Sequence, residues 1–579
     1  MRDDPARSYR RSYTSPSGEA TVDFEATPPL SLVLSDRMRA VVWLAALLGL
    51  ALLIQNLAGA YGTELGNTSD EPAHFMNGLL LRDYLTHGLM QSPLAFAEQY
   101  YLSYPKIAPL MWPPFFHGAL GLFLLPGWPP HQAALVFVAL LAALTAYRLS
   151  RFISLFSSSL AATVVPALFL IVPTIADLTS MVMVDIALAA LGLEAAWWLA
   201  RFVVTGERRH ALLFGAFGAC CCLTKGNGVA ITLLPSMLMA ATGRLALLRT
   251  GGLYIAAVIV AVFGAPFLYI SYRLCYAMGD FSGSGGSDLM SRLTLFTVFL
   301  WHQLTPIPFV LALVGAAGAV YRAWTWPQAL RTVAPAALVA LAVAAVLFHT
   351  VLPLQYYAGR YVAMAVAPML GLVPLGAAMI VRAAGLRGPQ TAMVSAVLVV
   401  ATLGLLLMRP EVTLRRPLGF AESVERLAAD GLAGRRVLVI SDEPGEGALV
   451  TEVAMRGVTP RPTVIRGSKL LADGDWMDNN LTLLFGTVPE TLQQFEDIHI
   501  DYVVFDRSPQ AQEMPYWSHV RDVAAIAGAR MVPVHATHAS PETGPTRAIT
   551  VYRITNQTPG PPKKMRVNLR YSLGKFLEQ

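Results

Sequence analysis

The chain has 579 residues, of which 55% are hydrophobic and only 14% carry a formal charge. Because a soluble domain averages about 25% charged residues, this composition excludes an ordinary soluble enzyme and predicts a polytopic membrane protein. The formal net charge of +6 does not indicate a nucleic-acid partner, since much of the Lys and Arg lies in short loops between apolar segments. Three of the four cysteines are consecutive, Cys220 to Cys222, and have neither a disulfide nor a zinc-ligand spacing.

The first apolar segment follows a polar N-terminal stretch. Residues 1–37 are rich in Arg, Ser, Thr and Pro, which predicts a disordered cytoplasmic tail without a cleavable signal peptide. Residues 40–58 are long enough to cross a bilayer, and Arg37 and Arg39 before them predict that the N-terminus lies inside. The loop that follows, residues 59–130, is therefore predicted to lie on the outer face of the membrane.

This first outer loop carries an acidic pair, Asp70 and Glu71, directly before Pro72. Charges close to lipid are costly, so two adjacent carboxylates just beyond a membrane span favour a functional interpretation. A solvated loop, with Asp70 near the N-cap of a helix that starts at Pro72, explains the same residues without any function. The local spacing leaves both interpretations open.

Beyond this loop, apolar spans alternate with short loops, and Lys and Arg concentrate in every second loop. The apolar piece at 113–128 holds about a dozen apolar residues and is predicted to be re-entrant or interfacial. On this basis the sequence predicts about eleven spans, and up to about 13, in a membrane region that covers residues 38–410. An odd number of spans places the acidic loop and the C-terminal region on the same, outer face.

The predicted spans are 40–58, 133–147, 160–175, a span ending at 204, 211–223, 229–241, 253–274, a span ending near 320, 333–348, a span ending at 380, and 394–408.

From about residue 416 the composition changes to short apolar, β-branched runs separated by helical patterns. Strands that alternate with helices predict a small α/β domain, residues 416–556, followed by a basic tail, residues 557–579. Gly445-Glu446-Gly447 follows the first strand but lacks the third glycine and the acidic residue of a dinucleotide site, so an accessory role is predicted. The predicted strands are 437–440, 463–465, 502–505 and 547–554.

Three further ionisable residues, Asp185, Lys225 and Arg360, fall at the outer ends of predicted spans. Each has a simpler explanation: Asp185 as a helix cap, and the two cations as side chains that snorkel to lipid headgroups. Gathered on one face with Asp70 and Glu71, however, they suit a substrate that carries both a phosphate and a reactive hydroxyl.

The order of these residues resembles that of the GT-C glycosyltransferases, and within them it is most similar to the protein O-mannosyltransferase and lipid A aminoarabinose transferase group. The resemblance covers residues 38–410 and departs from the family pattern at His74-Phe75, which replace the usual aromatic residue beyond the acidic pair. The positions that carry it are Asp70-Glu71, Pro113-Pro114, Asp185, Lys225-Gly226 and Arg360-Tyr361.

The resemblance implies an inverting glycosyltransferase that moves a hexosyl or pentosyl group from a polyprenyl-phosphate donor to a lipid, glycan or protein acceptor. Asp70 would be the catalytic base beside Glu71, and Lys225 and Arg360 would hold the donor phosphate. The other implied substrate-binding residues are Asp185, Tyr361, His74 and Lys106.

No cofactor is required by the sequence, although two acidic groups on one face could hold a divalent metal. The implied location is the inner (plasma) membrane, with multiple spans, and with the active site and C-terminal domain facing the periplasm or the outside.

Two other functional classes stay open. A transporter or flippase for a lipid-linked sugar would place ionisable groups near spans, but it predicts midplane charges and internal repeats. The sequence has no visible repeat, and its charges lie at the outer span ends. A non-catalytic subunit of an envelope assembly would tolerate the loss of Asp70.

Overall fold

The computed structural model describes residues 36–108, 110–277, 288–352, 357–386, 390, 404, 413–473, 481–527, 530–540, 545–555, 561–569 and 575–578. The chain divides into an N-terminal unit, residues 1–43, and a second unit, residues 44–579. In the first unit, the described residues form the start of a helix. The predicted disordered tail, 1–37, lies outside the described residues except for its last two. Every site discussed below belongs to the second unit.

The membrane region consists of helices α1 to α15, joined by short 3-10 and π turns. The helices are α1 Asp36–Leu57, α2 Asp70–Asp83, α3 Pro93–Ser103, α4 Phe115–Phe123, α5 Pro130–Ile153, α6 Ser159–Ile171, α7 Pro173–Thr179, α8 Asp185–Thr205, α9 Arg208–Cys222, α10 Leu234–Ala241, α11 Gly251–Ala277, α12 Leu289–Leu304, α13 Pro306–Thr325, α14 Leu330–Val351 and α15 Ala363–Ala383. The turns are Ala60–Gly62, Tyr84–Gly88, Gly226–Leu233, Leu245–Arg249 and Gly359–Val362.

Seven of the described helices are long and apolar enough to cross a membrane, and an eighth span results if the bent pair α6 and α7 is one crossing. The predicted spans at 211–223 and 229–241 correspond to shorter helices. Helix α9 has 15 residues and covers only about 22 Å, less than the ~30 Å hydrocarbon core. The last predicted span, 394–408, lies outside the described residues apart from residue 404. The number of crossings therefore stays a prediction.

Two features of the membrane region differ from the sequence-based expectation. The single span predicted at 160–175 is broken, and α6 and α7 meet at an angle of 69°. Val172 between them has an extended backbone, and Pro173 opens α7, because proline disfavours the helical conformation in the residue before it. Helix α12 was not predicted; it ends at Thr305, where the backbone φ is +63° and α13 begins.

Helix α4 fills the apolar piece predicted to be re-entrant or interfacial. It has nine residues, which is too short to cross a bilayer. It packs on α2, where Gly121 approaches the backbone carbonyl of Gly78 so closely that a Cβ atom would lie 3.0 Å from that oxygen. The first outer loop thus supports the start of α2, where the acidic pair lies.

The C-terminal region is a mixed α/β domain, as predicted. Its strands are β1 Arg436–Ile440, β2 Thr463–Arg466, β3 Ala472–Asp473, β4 Thr482–Leu483, β5 Tyr502–Asp506, β6 Met531–Ala536, β7 Ile549–Ile554, β8 Arg566–Leu569 and β9 Lys575–Glu578. Its helices are α16 Phe420–Ala429, α17 Glu443–Met455, α18 Gly467–Leu470, α19 Val488–Asp497, α20 Pro509–Gln512 and α21 Pro515–Ala527.

The main sheet has the order β2-β1-β5-β7-β6. Strand β1 is parallel to both of its neighbours, whereas β7 is antiparallel to β5 and β6. All four predicted strands are present, whereas β6 and the short strands β3, β4, β8 and β9 were not predicted, and β8 and β9 lie in the predicted basic tail. Strand β6 was missed because it lies at the sheet edge, carries Pro533 and buries few of its side chains. Gly445 and Gly447 lie inside α17 and do not form a phosphate-binding turn.

The C-terminal domain lies directly on the first outer loop. The carboxylate of Glu64 accepts hydrogen bonds from the backbone N–H groups of Leu418, Gly419 and Ala421, at 2.6, 2.9 and 2.9 Å. A Cβ atom on Gly447 would lie 2.6 Å from Cγ of Pro72, so only glycine permits α17 to approach α2 this closely. The domain therefore supports the helix that begins with the acidic pair.

Candidate functional site

The first component of the site is an ion pair between the start of α2 and the turn before α15. Asp70 is the first residue of α2, and Arg360 lies in the 3-10 turn that precedes α15. The Arg360 Nη2 atom donates to Oδ2 of Asp70 at 2.5 Å. The side chains keep 21% and 30% of their surfaces exposed, so a ligand can reach both partners.

The second component is a more buried ion pair. Asp185 begins α8, and Lys225 follows α9 at the start of the next 3-10 turn. The Nζ atom of Lys225 donates to Oδ1 of Asp185 at 2.8 Å, and only 3% of the Asp185 side chain is exposed. A buried carboxylate is costly without such a partner.

Tyr361 joins the two pairs into one cluster. Nζ of Lys225 lies 4.9 Å from the centre of its ring, and Cζ of Arg360 lies 5.8 Å from it, within the range of cation–π attraction. His349 stacks on the same ring at 5.4 Å. We call Asp70, Asp185, Lys225 and Arg360 the four-charge cluster; these predicted residues come from four distant stretches of sequence.

Some buried polar atoms of the four-charge cluster have no hydrogen-bond partner among the described residues. Within the described part of the chain, Nε of Arg360 and Oδ2 of Asp185 are buried and have no hydrogen-bond partner. The same holds for Oδ1 of the neighbouring Asn227, whose amide nitrogen lies 3.1 Å from Nε2 of His349. Because buried polar atoms normally find partners, these atoms mark a place where a polar ligand would be held.

Glu71 points away from the cluster although it is adjacent to Asp70. Its carboxylate accepts from the backbone N–H and the side-chain amide of Asn67, at 3.0 and 2.8 Å, and from the backbone N–H of Val182 at 3.1 Å. Burial raises the pKa of Glu71, and the charge of Arg415 opposes that shift. Glu71 thus ties the acidic loop to the turn before α8.

His74 lies one helical turn beyond Asp70 and is fully buried. Its Nδ1 lies 3.0 Å from Nε2 of His117, and its ring lies 4.4 Å from that of Trp112. Burial lowers the pKa of His74 well below its usual range, and His117, Lys225 and Arg360 lower it further. Burial also lowers the pKa of His117 to about 4. Both imidazoles are therefore uncharged at neutral pH.

Lys106 does not join the four-charge cluster. Its Nζ atom donates to Glu443 at the start of α17, at 2.9 Å, and the Lys106 side chain is 5% exposed. This contact connects the first outer loop to the C-terminal domain. The arrangement favours a role in docking the domain over the predicted substrate contact.

Sequence reasoning missed Asn227, His117 and His349. Asn227 comes two residues after Lys225, and His349 lies near the end of α14, so a polar residue at the end of a span was the available signal. Within the described residues, no three His, Cys, Asp or Glu side chains are grouped so that they could hold a metal ion.

Comparison with known proteins finds no matching family and no matching curated sequence. Among solved structures, apo ArnT from Cupriavidus metallidurans, a lipid A aminoarabinose transferase, has a TM-score of 0.51 at 14% identity, covering 89% of this chain and 98% of that one. The Archaeoglobus fulgidus oligosaccharyltransferase in complex with Zn and sulfate has a TM-score of 0.51 at 11% identity, covering 88% and 73%. Both are GT-C glycosyltransferases. The chain therefore has the GT-C fold, which confirms the predicted fold class.

Proposed function

We propose that this protein is an inverting membrane glycosyltransferase that moves a sugar from a polyprenyl-phosphate donor to an acceptor hydroxyl. The observation that carries the proposal is the four-charge cluster, in which two carboxylates and two cations lie around Tyr361 with buried polar atoms left unpaired. The GT-C fold supports it.

The two cations suit a phosphate group. Arg360 offers a planar fork that fits phosphate oxygens, and Lys225 supplies a compact positive charge. Nε of Arg360 has no partner among the described residues, so a donor phosphate would satisfy it. Asp185 stays paired with Lys225 and limits the excess positive charge before the donor arrives.

Phosphate binding would also release Asp70. When the phosphate takes Arg360, the carboxylate of Asp70 loses its partner and becomes available as a general base. The acceptor hydroxyl gives its proton to Asp70, and its oxygen forms a bond to the anomeric carbon. The bond from that carbon to the phosphate oxygen breaks, and the phosphate leaves with the electron pair. Attack opposite to the leaving group inverts the anomeric centre.

The developing phosphate charge would be stabilised by groups that are already in place. Lys225 is held by its ion pair with Asp185, and both cations lie against the ring of Tyr361, so little reorganisation accompanies the reaction. His74 lies close enough to both cations that they lower its pKa. We assign it an uncharged contact to the donor, and we assign Glu71 the role of holding the loop that presents Asp70.

The proposed acceptor is a lipid, a glycan or a protein. The fold alone does not select among these three classes of acceptor.

The decisive experiment is the transfer of labelled sugar from a panel of polyprenyl-phosphate donors by the purified protein. Wild type should transfer sugar, and Asp70→Asn should transfer it about 10²- to 10⁴-fold more slowly. Asp522→Asn, at an exposed pair in the C-terminal domain, should match wild type. Full activity of Asp70→Asn would contradict the proposal. Translocation of the donor in proteoliposomes without transfer would identify a flippase instead. Because no metal is part of the proposal, transfer should persist in EDTA.

The proposed orientation places the cluster and the C-terminal domain on the outer face of the inner membrane. A membrane-impermeant maleimide should label Gln510→Cys in intact spheroplasts, because this residue is exposed in the C-terminal domain. Glu207→Cys, in the loop predicted to be inside, should react only after permeabilisation. The opposite pattern would reverse the topology.

A further inference from the structure

A cavity of about 660 Å³ lies between residues 61–64 of the first outer loop, the start of α5 and the C-terminal domain. Its walls come from residues 61–64, from residues 130–132 at the start of α5, from α16, and from the C-terminal end of α17. No residue of the four-charge cluster is among the described residues that line it. The volume lies in the range of small-molecule sites, about 300–1,000 Å³.

The cavity is acidic. Four carboxylates line it, those of Glu64, Glu422, Glu425 and Glu452, against the single guanidinium of Arg456. The Glu64 carboxylate is engaged by three backbone N–H groups at the start of α16. Glu422 and Glu425 are exposed at the rim. Glu452 is therefore the carboxylate inside the cavity that a ligand would meet.

Glu452 is the feature that points to a ligand. Its residue surface is 9% exposed, and within the described part of the chain its carboxylate makes neither a hydrogen bond nor an ion pair. The opposite wall also holds an unsatisfied group, because Nε2 of His131 is buried and has no hydrogen-bond partner among the described residues. A buried carboxylate without a partner is costly, and a cation or hydrogen-bond donor in the cavity would remove that cost.

We propose that this cavity binds an organic cation of about monosaccharide size, with Glu452 receiving its ammonium group. The acidic lining selects positive charge, and the volume exceeds that needed for a bare ion. The described residues also contain no group of side chains arranged to hold a metal. This site lies beyond the proposed transfer reaction and does not depend on it.

The ammonium group has two natural sources. Residues 130–132 form the first turn of a helix long enough to span the membrane, so the cavity lies at the level of lipid headgroups. An aminophospholipid headgroup and a free amino sugar both present a primary ammonium of suitable size. The experiment has one arm for each source.

The site should also respond to pH. Burial, followed by the charge of Glu64, raises the pKa of Glu452 to about 7, and Arg456 on the same helix opposes the shift. The other titratable groups that face the cavity are Tyr61 from the first outer loop, His131 from α5, and Glu422 and Glu425 from α16. Because an ammonium ligand prefers the ionised carboxylate, its affinity should rise about tenfold between pH 5 and pH 6, a range in which an amino sugar keeps its own ammonium protonated.

The soluble arm uses calorimetric titration of the full-length protein in nanodiscs without aminophospholipid. Glucosamine should bind saturably, and N-acetylglucosamine, which lacks the ammonium, should not. Glu452→Gln should weaken glucosamine binding about 10- to 100-fold, as expected for a hydrogen bond to a charged group. Glu513→Gln, which removes an exposed carboxylate of the same domain outside the cavity, should bind as wild type does.

The lipid arm compares retention of phosphatidylethanolamine and phosphatidylglycerol after purification, by native mass spectrometry. Selective retention of phosphatidylethanolamine that Glu452→Gln abolishes would identify the headgroup as the source. The proposal is overturned if neither amine is preferred over its amine-free counterpart, or if Glu452→Gln binds as tightly as wild type. Should Glu452→Gln fail to fold, a wild-type affinity for glucosamine that does not change between pH 5 and pH 6 would also overturn it.

Discussion

The four-charge cluster and a second cluster of ion pairs, in the C-terminal domain, contain similar charges. They differ in whether the polar atoms of those charges have hydrogen-bond partners. In the second, which we call the Arg547 network, the guanidinium of Arg547 bridges Asp442 at 2.6 Å and Asp506 at 2.7 Å. Ser441 donates to Asp506 at 2.6 Å, and Asp506 is completely buried. In the four-charge cluster, by contrast, Arg360 and Asp185 keep buried atoms unpaired.

The position of the Arg547 network makes this difference informative. Asp442 follows β1 and Asp506 ends β5, so both lie at the carboxyl ends of neighbouring parallel strands, where α/β sheets commonly bind ligands. In this domain the guanidinium of Arg547 occupies that position and pairs with the carboxylates of both Asp442 and Asp506. Charge and location alone therefore do not identify a site; unsatisfied atoms within reach of a ligand do.

The largest expected effect separates Asp70, a member of the four-charge cluster, from its sequence neighbour Glu71, which lies outside it. Asp70→Asn should lower turnover about 10²- to 10⁴-fold with donor affinity nearly intact, because the amide keeps the shape but cannot accept the proton. Glu71→Gln should have a milder effect, because Glu71 holds the loop through Asn67 and Val182. Steady-state kinetics with labelled donor measures both. The reverse order of turnover would make Glu71 the base.

The next effect tests the Arg547 network as a purely structural feature. Arg547→Met removes the only ion-pair partner that the described residues give to Asp442 and to the fully buried Asp506, although Ser441 still donates to Asp506. It should lower the free energy of unfolding by about 3–5 kcal/mol. Arg521→Met, which removes the cation of an exposed pair, should cost less than about 1 kcal/mol. Unfolding of the full chain in detergent measures both. A fully stable Arg547→Met protein would show that the network is not needed for folding.

A smaller effect is expected on donor binding. Lys225→Met and Arg360→Met should each weaken donor affinity by about 1.5–3 kcal/mol, the range for hydrogen bonds to charged groups. Lys106→Met serves as the comparison, because Lys106 pairs with Glu443; it should leave donor affinity unchanged and lower the melting temperature. Unchanged affinity in both cluster variants would assign Lys225 and Arg360 to headgroup contacts, and a loss in Lys106→Met would restore its predicted substrate contact.

The smallest effect concerns the dependence of stability on pH. The pKa of Glu452 is raised to about 7 in the folded protein from an ordinary value of 4.5. The stability that neutral Glu452 contributes is thus fully present below about pH 4.5 and is lost as pH rises through about 7. Glu452→Gln should therefore melt about one to three degrees higher than wild type at pH 8, and less so at pH 5. A constant difference across this range would contradict the shift.

The sequence alone determined the features that depend on short-range patterns. Apolar length identified the seven described helices that are long enough to cross a membrane, and β-branched runs identified four of the five strands of the main C-terminal sheet. The residues of the four-charge cluster could also be selected, because ionisable groups at span ends are conspicuous in an apolar chain. Where the local signal was weak, as in edge strand β6 with Pro533, the pattern failed.

Only the tertiary structure decided which charges meet. Asp70 and Arg360 are separated by 290 residues, and no local pattern specifies that one pairs with the other. Asp70 and Glu71 were indistinguishable by position, and packing turned one toward Arg360 and the other toward Val182. Packing likewise placed the side chain of Lys106 against Glu443 of the C-terminal domain and not in the four-charge cluster. Composition and periodicity record local preference, whereas such pairings depend on how distant helices and the C-terminal domain pack together.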